Sequence, residues 1–213
     1  MADRQVPLVV IKRLPRYLRY LGDLLDNKVY RVSSTELSDK MGVTASQIRQ
    51  DLNYFGGFGQ QGYGYNVELL YNNISNILGL NSGHKTIIIG AGNLGRALVN
   101  YGGLQKRGFE VIGIFDTNED IIGTTHSGIT ILPYSDLQSF VNDNKPDIAV
   151  IAVPKANAND VAHDLVSCGI KALWNFAYVD LKLPEDVIVE NVHLSDSLMT
   201  LSYCMADMEE SKK

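Results

Sequence analysis

Lys85-Thr86-Ile87-Ile88-Ile89-Gly90-Ala91-Gly92-Asn93-Leu94-Gly95-Arg96 is the stretch that decides how this chain folds. Three consecutive β-branched isoleucines suit a strand buried on both faces, as in a parallel sheet. The strand runs into Gly-x-Gly-x-x-Gly (Gly90, Gly92, Gly95), and a helical pattern follows through Ala97, Leu98 and Tyr101. Each glycine has its own reason: a tight turn, close approach of backbone to a pyrophosphate, and close packing of helix on strand. A helix starting near Asn93 points unpaired N–H groups toward bound phosphates. Gly90, Ala91, Gly92, Asn93, Leu94 and Gly95 are therefore the candidate dinucleotide loop.

Downstream, Glu110–Phe115 reads as a second strand and ends at Asp116, twenty-one residues past Gly95. An acid at that distance accepts hydrogen bonds from the adenosine ribose, and its charge disfavours a 2′-phosphate, so the cofactor expected is NADH or NAD. Further strands are read at 128–132, at 147–153 (stopped by Pro154) and at 171–175, with helices across 136–142 and 157–168. Strand and helix alternate throughout, which argues for a doubly wound parallel sheet. Ligands of such sheets bind at the carboxyl ends of the strands, where Asp116, Pro154 and Asn175 fall.

Upstream the chain reads differently. Residues 7–26 carry Leu14, Leu18, Leu21 and Leu25 at helical spacing, with Pro15 marking a start or a kink. Lys12, Arg16 and Arg19 fall on one face with Arg13 beside it, either a solvated stripe or one turned to phosphates. Ser33 and Glu36 form a capping box for a short helix that stops at Gly42, and Thr44 caps a second one, Ala45 to about Tyr54. Two short helices around a tight turn make a helix-turn-helix candidate. The second presents Ser46, Gln47, Arg49 and Gln50, polar groups able to bond base edges in a major groove, while Ile48 and Leu52 face inward. Five glycines between residues 56 and 65, interleaved with aromatics, read as a hairpin, a wing directly after the second helix, or as a flexible linker to the next domain. A helix over 66–80 then leads to a polar boundary at 81–84.

Composition is that of an ordinary globular chain of 213 residues, 45% hydrophobic and 20% charged. The net charge of −5 is uneven: residues 1–80 hold nine Lys/Arg against seven Asp/Glu, and the remainder ten against seventeen. Positive surface thus belongs to the N-terminal part. There is no apolar run of membrane-spanning length and no leader-like start, so the cytoplasm is expected and no membrane partner. Cys168 and Cys204 match no metal spacing and read as thiols.

Leu194, Leu198, Leu201, Met205 and Met208 form an apolar helical stripe, with Ser195 as the expected N-cap. It either closes the sheet's own face or packs on a partner chain. The division is thus 1–80 winged helix-turn-helix, 81–192 Rossmann domain and 193–213 terminal helix. An oxidoreductase or a CoA-binding subunit is the rival class. Hydride transfer commonly uses an acid/base partner, yet His84, His126, His163 and His193 have no recognisable companion, and residues 1–80 leave no room for a substrate domain. A winged helix serving only as an interaction module is a third reading.

The segments Arg13-Leu-Pro, Ser46 to Gly56, Gly57-Phe-Gly, Gly62-Tyr-Gly-Tyr65, Gly90 to Gly95, Phe115-Asp116, Asn175-Phe-Ala177 and Leu201-Ser-Tyr203 occur in an order that resembles the Rex family of bacterial redox-sensing repressors. The resemblance spans nearly the whole chain. It implies a homodimeric repressor, bound to double-stranded palindromic operator DNA and released by NADH, with the C-terminal helix exchanged between protomers. It also implies that Gln60, Gln61, Gly62 and Tyr63 form the wing tip, that Tyr101 lies near the nicotinamide and that Arg19 couples the DNA-binding domain to the partner's C-terminal region. Not every position follows the family pattern. Gln50 stands where the family has Lys, Gln60-Gln61 replace a basic wing tip, and His193 replaces the Asp that pairs with the coupling arginine. Lost charges predict weaker DNA binding with a flatter salt dependence, and the Arg19–His193 pair cannot form the family's salt bridge.

Overall fold

A computed structural model describes residues 6–56, 59–60 and 63–211. The chain divides into two compact units, one ending at Ser82 and the other beginning at Gly83.

The first unit opens with α1 (Leu8–Ile11) and α2 (Leu14–Asp26). Pro15 occupies the first turn of α2, where its missing N–H has no intrahelical partner to lose, so the chain restarts there. That break leaves Lys12 outside α2 and divides the single basic face read from the sequence. β1 (Arg31–Val32) leads to α3 (Ser34–Met41), whose start has both halves of the Ser33–Glu36 capping box and whose end is a left-handed Gly42. α4 (Ala45–Asn53) begins on Thr44, whose side chain accepts the Gln47 N–H at 3.1 Å. β2 (Gly59–Gln60) and β3 (Gly64–Asn66) pair antiparallel, and β1 adds to β3, giving the order β1-β3-β2 of a wing. Asn66 caps α5 (Val67–Ile77). Leu14, Leu21, Leu37, Met41, Ile48, Leu52, Leu70 and Ile74 close one core among the helices.

The second unit begins with β4 (His84–Ile89), then α6 (Asn93–Asn100), β5 (Phe109–Asp116), β6 (Thr125–His126) and β7 (Ile129–Pro133). It continues with α7 (Leu137–Asn144), β8 (Ile148–Ile151), α8 (Lys155–Ser167), β9 (Ala172–Asn175), β10 (Ile188–Asn191) and α9 (Leu194–Glu210). The strand order is β10-β9-β8-β4-β5-β7-β6, parallel except for β6 against β7. Ile87 and Ile89 face α7 and α8, whereas Ile88 faces the side covered by α6. Each is buried, worth roughly 1.5–3 kcal/mol relative to exposure, which is why the strand carries no polar alternation. From β4 the chain winds outward through β5 and β7, then returns to β8 on the other side of β4. The order therefore reverses between β4 and β8, and a crevice opens at their carboxyl ends.

Two terminal features differ from the sequence reading. β10 was not expected; its exposed Ile-Val-Glu-Asn segment lacks a buried strand's apolar run because it lies at the sheet edge. α9 begins at Leu194 with His193 in the cap position and no side-chain cap, so Ser195 lies inside the first turn and does not cap the helix.

A candidate nucleotide cleft and nucleic-acid surface

The crevice between β4 and β8 holds a cavity of about 190 Å³, lined by Gly90, Gly92, Asp116, Tyr134, Pro154 and Asn157 among others. Its glycines separate by cause. Gly90 has φ +101°, and a Cβ there would lie 2.5 Å from the Ala152 carbonyl oxygen. A Cβ on Gly95 would lie 1.9 Å from the Gly90 carbonyl oxygen, so helix and strand approach through it. Gly92 is different: its φ of −68° suits any residue, and nothing lies within 4 Å of where its Cβ would be. No packing demand within the chain accounts for that glycine, whereas an approaching pyrophosphate does.

Asp116 closes the other side. Its Oδ2 accepts the Ala91 N–H at 2.6 Å and its Oδ1 the Asn118 N–H at 2.9 Å, which ties the glycine loop to the end of β5. Each carboxylate oxygen retains a lone pair for a ribose hydroxyl. No side chain caps α6 at Gly92, so the N–H groups of Asn93, Leu94 and Gly95 begin a helix with an open end. Pro154 starts α8 in the same cleft. The Tyr134 hydroxyl donates to Asp164 at 2.9 Å; burial first, and then Asp164, push this phenol well above its ordinary range. An open cradle, a loop-bound acid and an uncapped helix fit the diphosphate and ribose of a dinucleotide.

Tyr101 is not brought to this cavity. It is the C-cap of α6, 56% exposed, at the far end of the helix from Gly92. The eight residues of α6 separate the two ends by about 12 Å at 1.5 Å per residue. Asn175 also serves another purpose: fully buried, its amide bonds Ala177, Val179 and Asn191, fixing the exit of β9. None of the cavity-lining residues is histidine. His84 stacks on Phe109, His126 bonds Asn100, and His163 is exposed. Among the described residues no cluster of His, Cys, Asp or Glu is placed to hold a metal ion, and no helix is long and apolar enough to cross a membrane.

In the first unit, α4 exposes Ser46, Arg49 and Gln50, with Gln47 half-buried. Arg49 donates to the Ser34 hydroxyl at 2.8 Å, which ties α4 to the start of α3. Arg16 and Arg19 are exposed, and the Arg19 guanidinium lies 5.8 Å from the centroid of the Tyr20 ring. Arg13 turns inward. Its Nε and Nη2 donate to Asp51 Oδ2 and Oδ1, each at 2.7 Å, committing two of its N–H groups. Tyr17 and Gln47 donate to the same carboxylate at 3.0 and 2.9 Å. Burial alone would raise the Asp51 carboxyl, but these hydrogen bonds and the Arg13 charge outweigh it and hold it below the usual carboxylate range. Burial and Asp51 together push the Tyr17 phenol far up.

Sequence reading missed Asp51, although a signal existed: an acid on the Ile48–Leu52 stripe of a short helix needs a partner. It also missed Arg31, which donates to the Tyr63 carbonyl at 3.3 Å and braces the wing. Tyr63 is 70% exposed. Gln60 lies on β2, and Gln61 and Gly62 fall outside the described residues. His193 sits at the start of α9, with its ring 4.8 Å from that of Tyr178 and its Nδ1 3.6 Å from Asp196. Its Nε2 is buried and has no hydrogen-bond partner among the described residues. None of the described residues of α9 is buried, and Leu194, Leu198, Leu201, Met205 and Met208 are all more than half exposed. The stripe therefore does not close the sheet of its own chain.

Residues 81–179 match the "CoA binding domain" family model, and residues 5–53 match "Putative DNA-binding protein N-terminus". The chain is 57% identical to the redox-sensing transcriptional repressor Rex of Thermoanaerobacter pseudethanolicus over 98% of its length and 93% of that protein's. It is similar, at 57% identity and a TM-score of 0.91, to a crystal structure of RSP in complex with β-NAD+ and operator DNA, covering 99% of this chain and 97% of that one. The RSP complex with β-NADH matches at 54% identity and a TM-score of 0.91, covering 99% of each chain.

Proposed function

The chain belongs to the Rex family of redox-sensing transcriptional repressors, and on that premise we propose how its residues divide the work of sensing NADH and holding operator DNA. The chain is a regulator and not an enzyme, and it works where bacterial DNA is, in the cytoplasm. Gly90 to Gly95 hold the pyrophosphate, Asp116 the adenosine ribose, and Pro154 borders the cleft. Bound NADH and NAD⁺ differ in the charge and planarity of the nicotinamide, and that difference is what the protein reads. The observation that carries this assignment is Gly92, a glycine whose missing side chain serves no contact within the chain.

On the DNA side, α4 enters the major groove with Ser46, Gln47, Arg49 and Gln50. Arg16 faces phosphate, and the wing tip (Gln60, Gln61, Gly62, Tyr63) follows the backbone. Arg13 acts as a brace for α4, its guanidinium being engaged by Asp51. Two chains pair through the exposed stripe of α9, since an apolar face of this size marks an interaction site. An isologous dimer then meets an inverted repeat.

Release follows from linkage: NADH must favour an arrangement of the two winged helices that does not fit the operator, and operator then weakens NADH binding by the same factor. Arg19 and His193 are the proposed coupling positions. Attraction between opposite charges is not available to this pair, so their coupling runs through repulsion or through the buried His193 Nε2 as a hydrogen-bonding atom. Calorimetric titration of the full chain tests the ligand assignment. NADH and NAD⁺ are expected to bind and NADPH to be rejected by Asp116; a folded protein giving no heat with NADH would defeat it.

A further inference from the structure

We propose that Asp51 is a positioning residue for operator recognition: it holds the Gln47 amide in one orientation and so makes Gln47 a pre-set reader of adenine. This rests on the reading of α4 as the helix that enters the major groove.

Asp51 is fully buried, and its carboxylate receives four donors. Oδ1 accepts from Arg13 Nη2 at 2.7 Å and from Gln47 Nε2 at 2.9 Å, while Oδ2 accepts from Arg13 Nε at 2.7 Å and from the Tyr17 hydroxyl at 3.0 Å. An ionised carboxylate has about four lone-pair sites, so none is left over for DNA. Its work is internal, and what it orders is a polar residue one turn earlier on the same helix, between exposed Ser46 and the exposed Arg49–Gln50 pair.

The orientation of a glutamine amide is ordinarily ambiguous, because its oxygen and nitrogen trade places on a half-turn. Here it is not. A carboxylate only accepts, so the group turned to Asp51 must be the NH2. Gln47 is left with its carbonyl oxygen and one remaining N–H. That pair complements the adenine N6–H2 donor and N7 acceptor in the major groove. Guanine offers O6 and N7, two acceptors, at the same edge, and would set carbonyl oxygen against carbonyl oxygen. An unrestrained glutamine could turn over to relieve the clash. Gln47 cannot do so without losing the Asp51 hydrogen bond and facing the carboxylate with its own oxygen. The same carboxylate withdraws Arg13, whose guanidinium would otherwise be the common partner of guanine.

The test uses the full-length chain and a pool of duplexes carrying an inverted repeat randomised in both half-sites, with the bound fraction sequenced. The unsubstituted protein should select adenine over guanine at one position per half-site by roughly 5- to 150-fold. Gln47→Ala should abolish the preference at that position alone. Asp51→Asn should relax the same position, and adding Asp51→Asn to Gln47→Ala should relax nothing further, as expected for one residue acting through another. The proposal is overturned if Asp51→Asn weakens every sequence equally while the adenine preference survives, or if Gln47→Ala leaves the profile unchanged. Should the unsubstituted chain enrich no sequence at all, the assignment of α4 itself fails, a distinct result. A second readout needs no Asp51 variant: the Gln47 side-chain amide, identified by its loss in Gln47→Ala, should give two distinct N–H resonances, the one bonded to Asp51 exchanging more slowly than the other. Equally rapid exchange of both, typical of a solvated amide, would contradict the proposal.

Discussion

The two functional helices begin in opposite ways. α4 opens on Thr44, whose hydroxyl takes the Gln47 N–H at 3.1 Å, so its first turn is closed by its own chain. α6 opens on Gly92, which lines the cavity and offers no side-chain cap. The contrast extends to what surrounds them. The cleft is built by omitting side chains: Gly90 and Gly95 let backbone pack on backbone, and Gly92 leaves open space at the helix end. The helix proposed to meet DNA, α4, is built by adding a polar side chain to a core, Asp51, which Arg13, Tyr17 and Gln47 all bond. A site for a small anionic ligand needs an open helix end; a surface that reads bases needs closed ends and braced side chains.

Breaking the brace should have the largest effect. Asp51→Ala strands Tyr17 and Arg13, and removing one partner of a buried pair costs roughly 3–5 kcal/mol. The Arg13 side chain is 25% exposed and can turn to water, so the lower end is expected, read as a fall in the unfolding free energy of the full chain. Acid should act in the same direction. The Asp51 and Glu36 carboxyls lie below their ordinary range when folded, Asp51 against the opposing pull of burial and Glu36 through its bond to the Ser33 backbone. The stability they add is present above the unfolded-state carboxylate pKa and is lost as pH falls through the folded values. A melt series from neutral pH to about pH 3 should therefore show a smaller acid loss in Asp51→Asn than in the unsubstituted chain; equal losses would remove Asp51 from the acid response.

The glycines sharpen the other half of the comparison. Gly95→Ala drives a methyl against the Gly90 carbonyl and should cost about 1–3 kcal/mol or more. Gly92→Ala should melt like the unsubstituted protein yet bind NADH more weakly, on the order of tenfold, or 1.4 kcal/mol. If the two substitutions behaved alike, the separation of packing glycine from ligand glycine would collapse. The smallest effect belongs to Thr44→Ala, about 1 kcal/mol from the lost cap, with NADH binding unchanged.

Much of this was legible from local chemistry. The Ser33–Glu36 box, the Thr44 cap, the left-handed Gly42 and the isoleucine strand with its glycine loop all follow from neighbours in sequence. What escaped depends on distance. Arg13 and Asp51 are 38 residues apart, and only the tertiary fold brings the start of α2 to α4. Tyr101 reads as part of the first Rossmann helix, but α6 ends at Asn100 and Tyr101 is its C-cap. Ser195 is a good capping type, yet the chain turns into α9 two residues earlier, at His193. The edge strand β10 is stabilised by its neighbour β9 and not by a buried apolar pattern, so periodicity gave no warning of it.

The central claim is that the open cleft and the braced helix are energetically linked. The most direct test is operator affinity, measured by fluorescence anisotropy on the full-length protein at fixed salt, as NADH is added. Coupling of about 1–3 kcal/mol should weaken operator binding roughly 5- to 150-fold, with NAD⁺ doing markedly less. An operator affinity that stays constant while calorimetry confirms NADH bound in the same solution would contradict the account.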